Sequence, residues 1–322
     1  MLHRDLAAVL ESGGLLKGVN LARSGREKVS AIENDSRKIS PGSVFVAIEG
    51  YEMDGHEYIG QAVKGGAFSV VASGQVNVSA DVSVFFVKNT RRALALLAAH
   101  FYGYPSKKMT LVGVTGTNGK TTTTHLIDSI YRVAGIRTGL IGTIHNKIGE
   151  RELAVRHTTP ESLDLQRLLR DMHDDGVRCA SIEVSSHALA LERVYGCEFD
   201  VAVFTNLTQD HLDFHGNMHD YLEAKTKLFL QAKRAVINAD DPAGSVLEKK
   251  SPGDIYTYGL KAPAFFRATG IEVKPGGVSF SIAWQGKTAT VNLKLTGLFN
   301  VYNALAAFSV GVVQGIKTSI II

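Results

Sequence analysis

Residues 113–122, with the sequence GVTGTNGKTT, constrain the fold of this chain more than any other feature. Residues 109–114 form a short apolar, β-branched run that predicts a buried strand, and residues 121–133 carry apolar side chains at helical spacing. A glycine-rich turn between a strand and a helix directs backbone N–H groups and the positive end of the helix dipole towards an anion. The segment therefore predicts a phosphate-binding loop in an α/β protein.

Two side chains at the end of this segment point to a nucleoside triphosphate. Lys120 would reach the β- and γ-phosphates, and the Thr121 hydroxyl would ligate Mg²⁺. A strict G-x-x-x-x-G-K-[ST] pattern requires glycine where this chain has Val114, and its glycines fall at positions 113, 116 and 119 instead. The alternative is an ordinary glycine turn with an exposed lysine. We prefer the nucleotide loop because the strand, the GKT sequence and the helix occur together.

Composition excludes several classes of protein. The 322 residues allow about two domains of ~150 residues each. The formal net charge of +4 is small and no block of like charge stands out, which argues against a nucleic-acid partner. Two cysteines, Cys179 and Cys197, do not make a disulfide framework, and no run of 18 apolar residues could span a membrane. With no signal peptide in residues 1–13, we expect a cytoplasmic protein that has no membrane partner.

Residues 1–104 and 109–322 are predicted as two domains, joined by the polar segment 103–108. The first is expected to be a small α/β domain. Its predicted strands are residues 44–48 and 82–87, and its predicted helices are residues 56–66 and 91–102.

The second domain alternates strands and helices. Further strands are expected at residues 138–143, 179–184, 201–207 and 235–238, and further helices at residues 161–174 and 217–233. This order predicts a doubly wound, mostly parallel sheet that binds ligands at the carboxyl ends of its strands. Residues 271–295 alternate in polarity between turns, which predicts antiparallel strands at one edge. A last helix is expected to begin at Asn300.

Polar side chains that follow the predicted strands are candidates for a metal site. Glu183 could hold Mg²⁺ directly or through water, and a solvated carboxylate at a strand end is the alternative. The segment of residues 206–216 supplies four more candidates: Asp210, His211, Asp213 and His215. For His211, spacing leaves metal binding and a hydrogen-bonding loop without metal equally open.

Lys225 is unusual because it falls on the apolar face of a predicted helix. It lies four residues after Tyr221 and four before Phe229. Desolvation lowers the pKa of an amine, so a buried lysine keeps more of its neutral form, which can react with CO₂ to give a carbamate. The carbamate oxygens would then be ligands for Mg²⁺. Periodicity alone favours the alternative, in which Lys225 extends its ammonium group to solvent.

Two polar pairs near the end of the chain allow two interpretations each. Asn300 is most simply a helix N-cap, and the side-chain amide of Asn303 could contact the edge of adenine. Asp240 and Asp241 could meet ribose hydroxyls or could only make a turn.

Taken together, these segments resemble the Mur ligases, ATP-dependent enzymes that add amino acids to a UDP-linked muramyl precursor of peptidoglycan. Residues 116–122 are similar to the phosphate loop of the family, and residues 297–307 to its adenine-side segment. Other stretches are similar to the branch that adds the third residue to UDP-N-acetylmuramoyl-L-alanyl-D-glutamate: NDSR (34–37), PGSVFVA (41–47), DGH (54–56), HTTPES (157–162) and EVSSHAL (183–189) with Arg193. The resemblance covers nearly the whole chain.

This resemblance implies roles for particular residues. ATP is expected at Gly116, Thr117, Asn118, Gly119, Lys120, Thr121 and Thr122, with Asn300 and Asn303 on the adenine side. The UDP end of the precursor is expected at Asn34, Ser36, Tyr51, Glu52 and Met53, and the muramoyl-dipeptide end at Thr158, Thr159, Ser185 and Arg193. The implied magnesium ligands are Thr121, Glu183, His211 and Lys225 as a carbamate. The implied catalytic residues are Lys120, Lys225 and His211.

The activity implied by the resemblance is that of a peptidoglycan ligase. It would use ATP and Mg²⁺ to add meso-diaminopimelate or L-lysine to the UDP-linked dipeptide through an acyl phosphate, as a cytoplasmic monomer. Family members carry a third domain for the incoming amino acid, and the end of this chain on Ile320–Ile322 suggests a cut before that domain. Two alternatives remain. One is a truncated, catalytically incompetent binding fragment, and the other is an amide ligase related to folylpolyglutamate or cyanophycin synthetase.

Overall fold

The structure, a computed structural model, describes residues 1–22, 24–50, 53–210 and 212–322. These residues divide into two units. The first unit contains residues 1–105, 161–170 and 191–196, and the second contains residues 106–160, 171–190 and 197–322. Tyr51, Glu52 and His211 lie outside the described residues.

The first unit contains, in its described part, a five-stranded sheet with helices packed on it. Its elements are α1 (His3–Ser12), β1 (Leu16–Asn20), β2 (Ala31–Glu33), β3 (Ser43–Val46), α2 (Ile59–Lys64), β4 (Ala67–Ala72), β5 (Ser83–Val87) and α3 (Thr90–Phe101). The strand order is β1-β5-β4-β3-β2, in which β1 pairs antiparallel and the other strands pair parallel. Every residue of β3 and β4 is buried, as expected of parallel strands covered on both faces.

One predicted helix of this unit, residues 56–66, is divided in the structure. Residues Gly55–Tyr58 form a 3₁₀ turn, and α2 follows from Ile59. The Asp54 carboxylate accepts a hydrogen bond from the His56 N–H, so it caps the turn rather than the helix.

The second unit alternates strands and helices. Its elements are β6 (Thr110–Thr115), α4 (Lys120–Val133), β7 (Thr138–Ile141), β8 (Asn146–Ile148), β9 (Arg151–Leu153), α5 (Ser162–Asp174, of which residues 162–170 belong to the first unit), β10 (Cys179–Glu183), α6 (Ser186–Ala190), β11 (Phe199–Phe204), α7 (Leu212–His215), α8 (Met218–Phe229), β12 (Ala232–Asn238), α9 (Pro242–Lys250), β13 (Asp254–Gly259), β14 (Phe266–Lys274), β15 (Gly277–Trp284), β16 (Lys287–Leu293), α10 (Leu298–Val313) and α11 (Thr318–Ile321).

These strands form a mixed sheet of eleven strands within the described ranges, in the order β16-β15-β14-β13-β12-β11-β6-β10-β7-β8-β9. The seven consecutive strands β14-β13-β12-β11-β6-β10-β7 pair parallel. The pairs β14–β15 and β15–β16 at one edge, and β7–β8 and β8–β9 at the other, are antiparallel. The mostly parallel α/β fold with an antiparallel edge is therefore confirmed. Val114 lies opposite both Glu183 and Val203, so the carboxyl ends of β6, β10 and β11 lie side by side.

Several predicted boundaries in this unit are wrong. The strand expected at residues 201–207 ends at Phe204, and the one expected at residues 235–238 begins at Ala232. The helix expected at residues 217–233 ends at Phe229, because β12 already begins at Ala232. The last helix begins at Leu298 rather than at Asn300, since Gly297 holds the N-cap position with φ +95°. Among the described residues, no helix combines the length and the apolar character needed to cross a membrane.

Candidate nucleotide and magnesium site

The glycines of the phosphate loop are required by its backbone geometry. Between β6 and α4, Gly116 has φ +147° and Gly119 has φ +88°, conformations that residues with a side chain rarely adopt. A Cβ at Gly116 would lie 1.9 Å from Thr205 Oγ1, and a Cβ at Gly119 would lie 2.3 Å from Asn303 Oδ1. The turn therefore excludes side chains at both positions, and α4 begins directly after it.

Lys120 folds back over this loop. Its Nζ donates hydrogen bonds to the carbonyl oxygens of Gly116, at 2.9 Å, and Thr117, at 2.8 Å. Burial lowers the pKa of the Lys120 amine, and the charges of Glu183 and Asp210 oppose this shift. The loop thus holds a cation close to the N-terminus of a helix, where an anionic phosphate group is favoured.

Glu183 lies beside the loop as part of a hydrogen-bonded group. Its side chain accepts hydrogen bonds from Thr121 Oγ1 at 2.8 Å, from the Thr143 N–H at 2.9 Å and from Thr143 Oγ1 at 3.1 Å. Only 1% of Glu183 is exposed, so the alternative of a solvated carboxylate is wrong. A threonine hydroxyl beside a buried carboxylate is an oxygen-donor set that suits Mg²⁺.

In the described part of the chain, no group of three or more histidine, cysteine, aspartate or glutamate side chains could hold a metal ion. The donor set at Glu183 therefore depends on the Thr121 hydroxyl. His211, the other predicted ligand, is outside the described residues, and its role remains a prediction.

Lys225 is buried in α8, with 1% of its surface exposed. Its Nζ lies 4.1 Å from the centroid of the Tyr221 ring, one helical turn away. Burial, reinforced by the nearby charge of Lys120 and opposed by Asp210, lowers the pKa of Lys225 to about 7. The alternative in which Lys225 extends to solvent is therefore wrong, and burial favours the neutral form of the amine.

A cavity of about 580 Å³ adjoins the phosphate loop. It is lined by Asn118, Gly119, Thr122, Thr205, Asn206, Asn238, Phe299, Tyr302 and Asn303. Phe299 is 68% exposed, an unusual position for an aromatic side chain unless a flat ligand or another surface covers it. The cavity combines this ring with several side-chain amides, which is the chemistry that a nucleobase requires.

The two asparagines of α10 have different positions. Asn303 lines the cavity, as its predicted adenine contact requires. Asn300 is not the helix N-cap. Its Nδ2 donates to the Thr296 carbonyl at 2.8 Å and its Oδ1 accepts from Asn303 Nδ2 at 3.1 Å, so it orients Asn303 from within the helix.

Asp240 and Asp241, the acidic pair that follows β12, both accept hydrogen bonds from other groups of the protein. Asp241 caps α9 by accepting from the Ala243 N–H at 2.9 Å. Asp240 accepts from the backbone N–H groups of residues 260 and 262 and from the Tyr302 hydroxyl at 2.8 Å. Asp241 is therefore a helix N-cap, and Asp240 joins α10 to the segment that follows β13.

The predicted dipeptide-binding residues of the second unit lie close to Glu183. Thr158 Oγ1 is 3.1 Å from Thr143 Oγ1, and Thr159 Oγ1 donates to the Glu183 carbonyl at 2.8 Å. The Ser185 N–H donates to Thr159 Oγ1 at 3.2 Å. Thr159 is buried and supports the backbone of this segment, whereas Thr158 is partly exposed.

The first unit has its own cavity, of about 430 Å³. It is lined by Asn34, Asp35, Ser36, Arg37, Phe45, Ile48, Met53, Gly55, Tyr58 and Gln61. Three of the residues predicted to contact UDP, Asn34, Ser36 and Met53, are therefore together; Tyr51 and Glu52 lie outside the described residues. Arg193, the remaining predicted contact, belongs to this unit and pairs with Glu161 at 2.6 Å.

An ion pair sits at the wall of this first cavity. Arg37 donates from its guanidinium group to Asp35, with an N–O distance of 2.8 Å. These hydrogen bonds lower the pKa of the Asp35 carboxyl to about 2. The wall of this cavity therefore carries an ion pair together with hydroxyl, amide and aromatic groups.

Sequence reasoning missed several residues that line the nucleotide-side cavity. Thr205 and Asn206 follow β11, and Asn238 is the last residue of β12. Their position at the carboxyl ends of parallel strands was the available signal. Phe299 directly precedes an asparagine already singled out, but only the structure shows that its ring is exposed at the cavity.

Comparison with known proteins gives a consistent assignment. Residues 114–311 match the Mur ligase middle domain, and residues 28–102 match the catalytic domain of the Mur ligase family. The UDP-N-acetylmuramoyl-L-alanyl-D-glutamate–2,6-diaminopimelate ligase of Bacillus velezensis is 47% identical over 297 residues, which are 89% of this chain and 60% of the relative. The enzyme of the same name from Lactiplantibacillus plantarum is 47% identical over 304 residues, 91% of this chain and 61% of the relative. The chain thus spans about three fifths of the length of these relatives.

Solved structures show the same relationship. A structure of a UDP-N-acetylmuramoyl-L-alanyl-D-glutamate–2,6-diaminopimelate ligase superposes with a TM-score of 0.87 and 27% identity, covering 100% of this chain and 65% of the other. MurF from Acinetobacter baumannii, with a TM-score of 0.67, 20% identity and coverage of 99% and 66%, shares the fold. So does the folylpolyglutamate synthase of Mycobacterium tuberculosis, with a TM-score of 0.58, 18% identity and coverage of 72% and 61%. On the match of residues 114–311 above all, this chain belongs to the Mur ligase family.

Proposed function

We propose that this protein is an ATP-dependent ligase of peptidoglycan synthesis. It would join 2,6-diaminopimelate to UDP-N-acetylmuramoyl-L-alanyl-D-glutamate, as the names of its relatives state for those proteins. The observation that carries this proposal is the grouping of Lys120, the Thr121–Glu183 pair and the buried Lys225 around one phosphate loop. L-Lysine is the other amino acid that fits the family resemblance, and the assay below distinguishes the two.

Within the second unit, each group has a distinct task. ATP would supply the phosphoryl group that activates the substrate carboxylate, and the amine of the incoming amino acid would then displace phosphate. Lys120 would neutralise charge on the phosphates, and Thr121 and Glu183 would hold Mg²⁺. Positioning and electrostatics can supply most of the acceleration in such a reaction, so a side-chain nucleophile is not needed.

Lys225 would contribute to the magnesium site as a carbamate. Its neutral amine would form a bond to the carbon of CO₂ and release one proton, which changes a neutral side chain into an anionic one. Starting from the ammonium form, two protons would be released. The site supports this step because burial and the nearby Lys120 both disfavour the ammonium form. The carbamate oxygens, with Glu183 and His211, would complete the oxygen- and nitrogen-donor set for Mg²⁺.

The first unit would bind the UDP end of the precursor in its cavity of about 430 Å³. Asn34 and Ser36 offer amide and hydroxyl groups there, and the Arg37–Asp35 ion pair lies at the wall of the same cavity. We assign residues 1–104 to precursor binding and residues 109–322 to ATP binding, with Thr158, Thr159, Ser185 and Arg193 serving the dipeptide end. We place the protein in the cytoplasm as a monomer, where Cys179 and Cys197 stay as free thiols.

The direct test is phosphate release from this 322-residue chain with ATP, Mg²⁺ and UDP-muramoyl-dipeptide. Release that depends on added 2,6-diaminopimelate, and not on L-lysine, is the expected result. Binding of ATP and of the UDP precursor without any release would identify a binding protein instead, which is the second candidate because the chain spans about three fifths of its relatives. A thermal shift with folate but none with UDP-muramoyl-dipeptide would contradict the proposal.

A further inference from the structure

The first half of the phosphate loop is bound to the segment that follows β11. The Thr117 N–H donates to the Asn206 carbonyl at 2.9 Å, which continues the pairing of β6 with β11 beyond the ends of both strands. The Asn206 side chain then binds the next residue at two points. Its Oδ1 accepts from the Asn118 N–H at 2.9 Å, and its Nδ2 donates to the Asn118 carbonyl at 3.1 Å.

Neighbouring side chains hold the same part of the loop. Thr205 Oγ1 donates to the Asn118 carbonyl at 2.7 Å. Thr117 Oγ1 accepts from the Thr208 N–H at 3.0 Å and lies 3.2 Å from the Tyr221 hydroxyl. Asn206 therefore makes three hydrogen bonds to the backbone of residues 117 and 118. Thr208, and Tyr221 on α8, instead contact their side chains.

This arrangement determines which amides can meet a ligand. The N–H groups of Thr117 and Asn118 already have acceptors in the protein, so they are not available to a phosphate. The first N–H groups of α4, from Lys120 onwards, have no acceptor within the helix because of helix geometry. An anion would therefore bind at residues 119–122, and residues 117 and 118 would serve to shape the turn.

We propose that Asn206 is a positioning residue, which holds the phosphate loop in the shape that receives the polyphosphate. The inference rests on the proposed function, because it takes the loop to be the ATP site. Asn206 also lines the cavity of about 580 Å³, so a direct contact between its amide and the nucleoside is the competing explanation. The two explanations differ for a ligand that has phosphates but no nucleoside.

The test compares Mg²⁺–ATP with Mg²⁺–tripolyphosphate by calorimetry, in the wild-type chain and in Asn206→Leu. Leucine keeps the branching and the number of side-chain heavy atoms of asparagine and removes both side-chain hydrogen bonds. We expect the affinity for both ligands to fall by the same factor, about tenfold, which corresponds to ~1.4 kcal/mol of binding free energy. An affinity for tripolyphosphate that stays at the wild-type value would overturn the inference, whether or not ATP binding weakens.

A second variant tests the same idea from the other side of the loop. Tyr221→Phe removes only the hydroxyl next to Thr117 Oγ1, and we expect a smaller loss, about twofold to fivefold, again equal for the two ligands. The matched control is Asn89→Ala in the first unit, where Asn89 Oδ1 caps α3 by accepting from the Arg92 N–H at 2.9 Å. It should lower the thermal stability and leave tripolyphosphate binding unchanged.

Hydrogen exchange separates this inference from the proposed function. In the ligand-free protein, Asn206→Leu should accelerate exchange at the amides of residues 117 and 118, because their acceptors are lost or displaced. Unchanged exchange there would contradict the inference even if ATP binds normally. Failure of the wild-type chain to bind either polyphosphate would instead contradict the proposed function.

Discussion

Lys225 Nζ lies 4.1 Å from the centre of the Tyr221 ring, and both side chains have only 1% of their surface exposed. A cation is attracted to the face of an aromatic ring, but this attraction does not replace the hydration that the ammonium group loses on burial. The net effect of the site is to lower the pKa of Lys225 to about 7, from an ordinary value of 10.5.

This difference in pKa predicts how stability depends on pH. Between about pH 7 and pH 10.5, the unfolded chain binds a proton at Lys225 that the folded chain does not. Lys225 therefore makes the free energy of unfolding rise with pH across that window, by at most about 1.4 kcal/mol per pH unit. Below about pH 7 the cost of burying the amine is fully present. Lys225→Met should therefore raise the free energy of unfolding at pH 7 and flatten its increase towards pH 10.

Urea unfolding in CO₂-free buffers at several pH values measures this effect. Lys227→Met is the matched control, since Lys227 is on the same helix but partly exposed, with its Nζ donating to the Leu189 carbonyl. A Lys225→Met variant that is less stable than the wild type at pH 7, with an unchanged pH slope, would contradict the assignment.

Replacement of Lys225 should also abolish activity in a way that small molecules repair. Lys225→Ala removes the amine that would carry the carbamate, and we expect ligase activity to fall by at least 100-fold. Acetate or another short carboxylate should restore part of it by placing two oxygens in the space left by the side chain. The measurement is phosphate release with and without acetate, with Lys227→Ala as the control. Full activity of Lys225→Ala without acetate would remove this residue from the site.

Alanine at Gly119 should damage the phosphate loop for two reasons that can be separated. The position has φ +88°, and an added Cβ would lie 2.3 Å from Asn303 Oδ1. Gly135, after α4, has φ +77° with nothing within 4 Å of the added Cβ, so Gly135→Ala measures the backbone strain alone. We expect about 1 kcal/mol of destabilisation for Gly135→Ala and about 2–4 kcal/mol for Gly119→Ala, together with loss of ATP binding. Equal effects of the two changes in thermal unfolding would show that Gly119 is not sterically confined.

Neutralising Glu183 should change the dependence on magnesium. In Glu183→Gln the side chain can still accept a hydrogen bond from Thr121 Oγ1, but it loses the charge that a divalent cation requires. We expect the Mg²⁺ concentration that half-saturates ATP binding to rise about tenfold or more, because the lost charge pair is partly desolvated. Fluorescence titrations of ATP at stepped Mg²⁺ concentrations measure this. A wild-type magnesium dependence would exclude Glu183 from the ion's environment.

The parts of the site that are local in sequence could be predicted. The strand, the GKT turn and helix α4 are specified within about 25 residues, so periodicity and glycine spacing located Lys120 and Thr121 correctly on the fold. The same periodicity placed Lys225 on the apolar face of α8. It could not show whether the amine reaches solvent, because that depends on Tyr221 and on the strands that cover the helix.

The parts that depend on residues distant in sequence could not be predicted. The two hydrogen bonds between Asn206 and Asn118 join residues 88 positions apart, and nothing in either local sequence indicates them. The start of α10 was misplaced because Asn300 has the chemistry of an N-cap, whereas the positive φ of Gly297 allows the helix to begin earlier. The hairpin of β8 and β9 was missed because its strands are three residues long.

The central claim is that the loop of residues 116–122 binds the polyphosphate of ATP. Calorimetric titration of Mg²⁺–ATP into the folded 322-residue chain tests it most directly, with Lys120→Ala titrated in parallel. We expect one saturable site in the wild type, and an affinity at least 100-fold weaker in Lys120→Ala because the cation that bridges Gly116 and Thr117 is gone. Absence of binding to the wild-type chain, or equal affinity in the variant, would contradict the account.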